Sequence, residues 1–373
     1  MASIIFRDYH YPYPWLSNHM KNIFHRPFFI RLFNWEYWSF GAVYFWTIPA
    51  WIYFSLRSRS FFFFSASNPS IENGGLIGES KKNIHNILPK EYYPATVHFS
   101  SATPGDKVVD EIKSAGLKFP LIGKPDIGGK GRAVKLLHTD QDIFHYAKHA
   151  LLDFHIQEYI DYPLEAGIFY YRYPDEEKGR ISGIVSKHFL SVTGDGKTTL
   201  LELLKADRRS IMYMENLEAM HRDKLNEVLT AGEVRIVSPY GNHARGSKFL
   251  DDSNAVDGEL EQLIDNISKT IPGFYFGRFD IRYNNWELLK KGREFIIIEL
   301  NGAGAEPTHM YDPRHSIFFA LKEIIRHWDI MARISRINHK KGIPYLSFSE
   351  GLNVFRVEKK NAELLGKMSA QIN

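Results

Sequence analysis

The segment GRFDIR, Gly277 to Arg282, is followed by IIIELNGAG, Ile296 to Gly304. Glu299 and Asn301 are two apart, so on a strand they share a face, and Arg278, Asp280 and Arg282 share one face of the preceding strand. If the two strands pair as a hairpin centred on Leu289 and Lys290, Asp280 stands opposite Glu299 and three oxygen ligands converge. Such a hard-oxygen set suits Mg²⁺, with Mn²⁺ as an alternative, and with phosphates completing the shell. The competing reading is a structural Arg-Asp-Glu network that satisfies its own buried charges.

Two further stretches have phosphate and nucleoside chemistry within reach. In LIGKPDIGGKGRAV a lysine, Lys124, leaves a strand end, and Gly128, Gly129, Lys130, Gly131 and Arg132 form a glycine-rich hairpin. Backbone N–H groups of short turns cradle phosphate oxygens while basic side chains offset their charge. An ordinary exposed turn with solvated lysines is the alternative. In QEYI, Glu158, Tyr159 and Ile160 offer strand-end groups for an adenine, and Glu165 a second carboxylate for ribose hydroxyls. Two surface glutamates beside a proline turn would look the same. His145 and His149 lie four apart on a helix, but no HExxH pattern or third ligand accompanies them, so a solvated helix face is expected over a metallohydrolase. SVTGDGKTTL approaches a P-loop, yet Ser191 stands where its first glycine is needed.

The elements that must position these groups alternate short strands with helices, which argues for an α/β or α+β architecture. Strands are expected at Phe119 to Lys124, Ala133 to Leu137, His155 to Ile160, Gly167 to Tyr173, Ile181 to Leu190, Phe276 to Tyr283 and Phe295 to Leu300. Helices are expected from Glu79 or Ser80, over Val108 to Leu117, from an Asp140 N-cap to about Leu152, over Thr199 to Arg209, over Asp257 to Ile271 and over Ile317 to Ile334. The 373 residues suffice for two or three subdomains, and the absence of cysteine excludes disulfides, a thiol nucleophile and thiolate-held zinc. A net charge of +4 without a concentrated basic stripe gives no ground for a nucleic-acid partner. MASIIFRDYH lacks a signal-peptide pattern, so a cytoplasmic location is expected.

From Tyr37 to Leu56 no charge occurs, with arginines on both sides. That length fits a bilayer span, but Pro49 and the aromatic bulk leave three readings open: a buried or re-entrant helical hairpin, peripheral docking at a membrane interface through residues 35–64, or a span. Phe61 to Phe64 is expected as a buried strand.

Lysine with a glycine hairpin, then hinge carboxylates, then Asp and Glu-x-Asn: this order resembles the ATP-grasp superfamily, specifically the D-alanine–D-alanine ligase-like and cyanophycin-synthetase-like carboxylate–amine ligases. The resemblance runs over roughly Glu79 to Asp312. It implies an α+β ATP-grasp fold, two α+β subdomains clasping ATP, preceded here by an aromatic-rich segment. The implied division is 1–64 for that segment, 65–118 before the grasp, 119–190 for the nucleotide-binding subdomain, 191–330 for the metal and substrate subdomain, and 331–373 as a tail. It further implies that Lys124 contacts the α- and β-phosphates under the closing Gly128–Arg132 loop. Glu158 to Ile160 then form the adenine hinge, Glu165 holds ribose, Lys187 is a second nucleotide-facing lysine, and Lys81 or Lys82 a further phosphate lysine. Asp280, Glu299 and Asn301 correspond to the Mg²⁺ ligands, and Arg278 to an arginine that stabilises the transferred phosphate, with Arg282 on the same face. SVTGDGKTTL is similar to a Val-x-Gly-Asp-Gly-x-x-Thr lid, which makes Lys197 a catalytic candidate with Thr198 or Thr199 as N-cap. The implied reaction joins a small-molecule carboxylate to an amine with ATP; a non-catalytic ATP-binding module docked by its aromatic N-terminus is the other reading. Substrate contacts are expected among Glu306, His309 and Arg314 or at Arg245 and Gly246, and nothing in the sequence fixes an oligomeric state.

Overall fold

The computed structural model describes residues 26–372 except 130. The described residues divide into two compact units, one formed by 26–39 with Leu190–Val237, the other by Phe40–Phe189 with 238–372. Strands and helices interleave along the chain, but every assigned pairing in the two large sheets is antiparallel, so the fold is α+β.

In the larger unit, β1 (Thr96–Phe99), β2 (Leu121–Pro125), β3 (Lys135–Leu137) and β4 (Phe154–Glu158) form a sheet of order β1-β4-β2-β3. The helices Gly105–Ser114 and Asp140–Lys148 bury Val108, Val109, Ile112, Ile143 and Tyr146 in its core. The second of these starts at Asp140 itself, so its N-cap is Thr139, one residue before the expected Asp140 cap. Thr139 accepts from the Asp142 N–H and the Asp142 carboxylate accepts from Thr139 N–H, a reciprocal capping box. It also stops at Lys148, short of Leu152.

The chain continues through β5 (Leu164–Tyr171) and β6 (Arg180–His188), and, after β7 (Leu190–Thr193) and β8 (Val234–Ser238) of a two-stranded sheet, through β9 (Lys248–Asp251), β10 (Phe276–Tyr283) and β11 (Phe295–Asn301). The five-stranded sheet has the order β11-β10-β5-β6-β9. Helix Gly258–Thr270 covers it with Leu260, Ile264 and Ile267, and helix Ile317–Lys340 contributes Ile330, Met331 and Ile334 to a separate aromatic core with Phe169 and Phe276.

Phe61 to Phe64 differ from expectation in form. Phe62, Phe63 and Phe64 are buried in that aromatic core, but Phe63 and Phe64 lie on a 3₁₀ turn (Phe63–Ala66) with Phe62 as its N-cap, and Phe61 is half-exposed, so the rings do not alternate across a sheet. The preceding charge-free stretch is broken into helices Phe40–Tyr44 and Ile48–Ser58, and among the described residues no helix is long and apolar enough to cross a membrane. The segment after 331 holds a 25-residue helix, Phe348–Ile372, whose Leu365, Met368 and Ile372 complete the core of the first sheet.

Asn68 fastens the loop before the first sheet to β10. Its amide donates to Gly74 O and Phe276 O, and its carbonyl accepts from the N–H groups of Tyr275 and Phe276. Gly302, just past β11, approaches Gly74 O so closely that a Cβ would lie 2.7 Å from it. A side chain there would push this loop off the strand end.

In the smaller unit Leu190, Val192, Leu200, Leu204, Leu217, Leu229 and Val237 make an independent core.

Candidate active site

The β10–β11 pairing sets Asp280 against Glu299 and Arg278 against Asn301. The expected register therefore holds through the site residues, and a bulge after Asp280 shifts it by one so that Ile281 faces Ile297. A bulge bends the strand locally and re-aims the side chains beside it. The connection is a loop with a short helix, Trp286–Lys290, in place of a tight turn.

Asp280 is buried among cations. Arg278 donates to both its oxygens, Nε at 2.7 Å and Nη2 at 3.1 Å, and Lys187 Nζ lies 3.2 Å away. Burial by itself would raise the Asp280 carboxyl, but Arg278 and Lys187 outweigh it and hold it at about 2. Lys187 is buried as well and bridges to Glu165 Oε1 at 3.0 Å. Burial opposes its charge, yet Asp280 and Glu165 keep its ammonium above the usual lysine range. Glu165 also faces Arg282 at 3.5 Å, and Arg282 donates to the carbonyls of Ile160 and Tyr162. The result is one alternating chain of charges from Arg278 to Arg282, anchored on three neighbouring strands.

Lys124, on β2 of the other sheet, lies close enough for the charges of Glu299, Glu165 and Arg282 to act on it. Its ammonium donates to Gln157 Oε1 at 2.8 Å. Burial brings its pKa down to about 8, with Lys81 and Arg282 adding to the drop while Glu299 and Glu165 oppose it. Lys81 donates to Gly128 O at 2.6 Å and so ties the helix Lys81–Ile87 to the glycine hairpin. Gly128 and Gly131 both take positive φ, +96° and +68°, as a tight turn requires. Arg245 donates to Gly131 O at 2.7 Å, and Gly129 and the Arg132 side chain are exposed. Lys130 lies outside the described residues. Glu158 is exposed at the end of β4, Tyr159 is half-buried with its ring 5.6 Å from the Arg282 guanidinium, and Ile160 supplies the carbonyl noted above.

A divalent cation is tested by the donor set. Glu299 is half-buried, and the buried Asn301 amide nitrogen has no hydrogen-bond partner. Because that nitrogen makes no hydrogen bond, a half-turn of the amide that puts the carbonyl oxygen in its place forfeits none there, and Asn301 is available as a ligand. Asp280, Glu299 and Asn301 thus fit a hard cation, provided that Asp280 exchanges part of its contact with Arg278 or Lys187.

The loop carrying Lys197 belongs to the smaller unit. Thr199 is the N-cap of helix Leu200–Ala206 in a capping box with Glu202, which settles the choice between the two threonines. The Asp195 carboxylate accepts from the N–H groups of Lys197 and Thr198 and from the Thr198 hydroxyl. Those are the donors a P-loop would turn to phosphate, so here an internal anion already occupies them.

Residues the sequence reading passed over also gather at this site. Glu79 is raised above its usual range by burial and by Glu299 and Glu72, against the pull of Lys81. Glu306, read as a substrate contact, accepts from the hydroxyls of Tyr44 (2.9 Å) and Tyr311 (3.1 Å), and its backbone carbonyl takes Arg278 Nη1 at 2.8 Å. Glu79 carried no signal beyond its proximity to a helix start. His309 bonds Glu323 Oε2 at 3.0 Å, and Arg314 pairs with Asp312.

No family model matches the chain, and no curated protein matches it. Among solved structures it is similar to a bifunctional glutathione synthetase from Pasteurella multocida (14% identity over 66% of this chain, TM-score 0.37). It is likewise similar to the VanG D-Ala:D-Ser ligase from Enterococcus faecalis (16% over 69%, TM-score 0.37) and to the ATP complex of a D-alanine–D-alanine ligase from Bacillus anthracis (14% over 72%, TM-score 0.41). The chain spans 35%, 61% and 69% of those three chains respectively.

Proposed function

We propose that the protein is an ATP-dependent ligase of the ATP-grasp kind, which activates a small-molecule carboxylate as an acyl phosphate and joins it to an amine. The observation that carries this reading is the register Asp280–Glu299 beside Arg278–Asn301, with Lys187 bonded to Asp280 and the Glu299 charge acting on Lys124. Oxygen ligands and cations alternate there as a polyphosphate with its metal needs. Asp280, Glu299 and Asn301 would hold Mg²⁺, which when bound offsets phosphate charge. Lys124 and Lys187 neutralise the phosphate chain, and Arg278 faces the transferred group. The substrate carboxylate takes the γ-phosphoryl and ADP leaves; the amine then attacks the acyl carbon, expelling phosphate and forming the amide. No protein nucleophile is required. Lys197 keeps in this scheme the catalytic role that the resemblance implies, and Glu158 to Ile160 with Glu165 serve the nucleoside.

The saturation of Asp280 by Arg278 and Lys187 favours a second reading, an ion network that only binds nucleotide or only stabilises the sheet. The two are separated by purified protein, ATP and Mg²⁺ incubated with pooled amino acids and carboxylates and read by mass spectrometry. The ligase reading expects a condensed product with stoichiometric ADP, and a loss of about 100-fold or more in Glu299→Gln. ATP binding with no product from any pool would favour the network.

The exposed side chains of Phe45, Trp46, Ile52, Tyr53 and Leu56, beside exposed Arg57 and Arg59, support peripheral contact of this segment with an anionic membrane at the cytoplasmic side.

A further inference from the structure

A second cluster lies on the first sheet. His98 and His155 face each other across the β1–β4 pairing, and His155 in turn faces Lys124 across β4–β2, so all three share one face. Asp126 follows directly after β2. His98, Asp126 and His155 each offer a ligand atom, all within 4.8 Å of one another.

The bonding of these groups is incomplete in a specific way. His155 is fully buried, and neither of its ring nitrogens has a hydrogen-bond partner; the buried His98 Nδ1 has none either. An imidazole always presents a donor or a lone pair at each nitrogen, so leaving both unpaired inside the protein is costly. The surroundings of the cluster are orderly. His85 Nδ1 and His98 Nε2 lie 3.3 Å apart, and His85 stacks on Tyr93 with ring centroids 5.0 Å apart. A proton on His98 Nε2 shared with His85 leaves a bare lone pair on Nδ1, which is how an outer partner fixes a ligating histidine. Asp126 Oδ1 accepts from Lys82 N–H at 2.8 Å, and its backbone is held by Lys81 N–H and Asp153 O.

We propose that His98, Asp126 and His155 bind a divalent late first-row metal ion of the Zn²⁺ class, with water completing the shell and His85 orienting His98 from outside. Two imidazoles and one carboxylate select such ions over Mg²⁺, which prefers oxygen donors alone. The site is distinct from the all-oxygen set of Asp280, Glu299 and Asn301. It stands beside Lys124 on the same face of the sheet, where it ties β1 and β4 to the end of β2, the strand that carries that lysine.

The test uses the full chain, free of any histidine tag, stripped with a chelator and titrated with Zn²⁺ against a chromophoric competitor, and with Co²⁺ for its d–d spectrum. One tight equivalent of Zn²⁺ is expected, with Co²⁺ bands of a nitrogen- and oxygen-ligated ion. Asp126→Asn and His98→Ala should each weaken Zn²⁺ by about tenfold or more, with an unchanged circular dichroism spectrum in the metal-free state. Glu299→Gln should leave the Zn²⁺ titration as in the parent protein, whatever it does to ligation. Asp126 is only partly buried, so its variant decides the matter even if substitutions at His155 prevent folding. Absence of a tight equivalent, or its retention in both Asp126→Asn and His98→Ala, would overturn the proposal.

Discussion

Asp280 and Lys124 carry opposite pH signatures. Asp280 titrates near 2 in the fold, below an ordinary aspartate at 3.8, so its contribution to stability is full above about pH 4 and is lost as pH falls toward 2. Lys124 titrates near 8 instead of 10.5, so between those values the unfolded chain binds more protons and stability rises with pH. Its ammonium, however, disappears over the same range. ATP affinity measured by calorimetry should therefore fall as pH rises through about 8, and Lys124→Arg should flatten that dependence because guanidinium stays charged. A profile that stays the same in Lys124→Arg would show that another group is responsible. Asp280→Asn should also cost on the order of 3–5 kcal/mol in urea unfolding, since it leaves the Arg278 and Lys187 cations underpaired. For that reason Glu299, half-buried, is the cleaner position for testing chemistry.

At the scale of elements, the C-terminal helix Phe348–Ile372 is a structural member of the first sheet. Truncating Leu365 or Met368 to alanine should each cost about 2–5 kcal/mol, seen as a lowered denaturation midpoint. A loss under 1 kcal/mol at both would mean that the helix is not docked. The sequence shows this helix poorly, because its apolar residues are scattered and only four of its 25 positions are buried. By contrast, the β10–β11 register was legible from Asp280, Glu299 and Asn301, since period-two spacing on two strands fixes which residues can meet. The bulge after Asp280 left no such trace. Phe61 to Phe64 show the opposite failure: the burial of Phe62 to Phe64 was legible, but Phe61 is half-exposed and strand geometry was wrong, because a run of four rings specifies apolar surroundings and no period. The histidines of β1 and β4 were invisible because they lie 57 positions apart and meet only through long-range pairing. For the Asp195 turn, Lys197→Ala should lower turnover more than ATP affinity; complete loss of ATP binding would make the loop a phosphate cradle after all.

On the scale of the whole molecule, the exposed aromatic residues from Phe45 to Leu56 predict partition onto vesicles containing anionic lipid. Replacing Phe45, Trp46 and Leu56 together by serine should reduce co-sedimentation at least about tenfold while leaving the melting temperature nearly unchanged, because these side chains are already in solvent. Equal sedimentation of parent and variant would place the contact elsewhere.

The central claim, that β10 and β11 hold a metal–nucleotide complex, does not depend on knowing the substrates. Mn²⁺ bound with ATP is read directly by electron paramagnetic resonance. With the His98, Asp126 and His155 site first filled with Zn²⁺, the parent protein should take up Mn²⁺ only when ATP is present, and Glu299→Gln with Asn301→Ala should abolish that uptake while ATP binding without metal persists. Unchanged ATP-dependent Mn²⁺ uptake in the double variant would contradict the account.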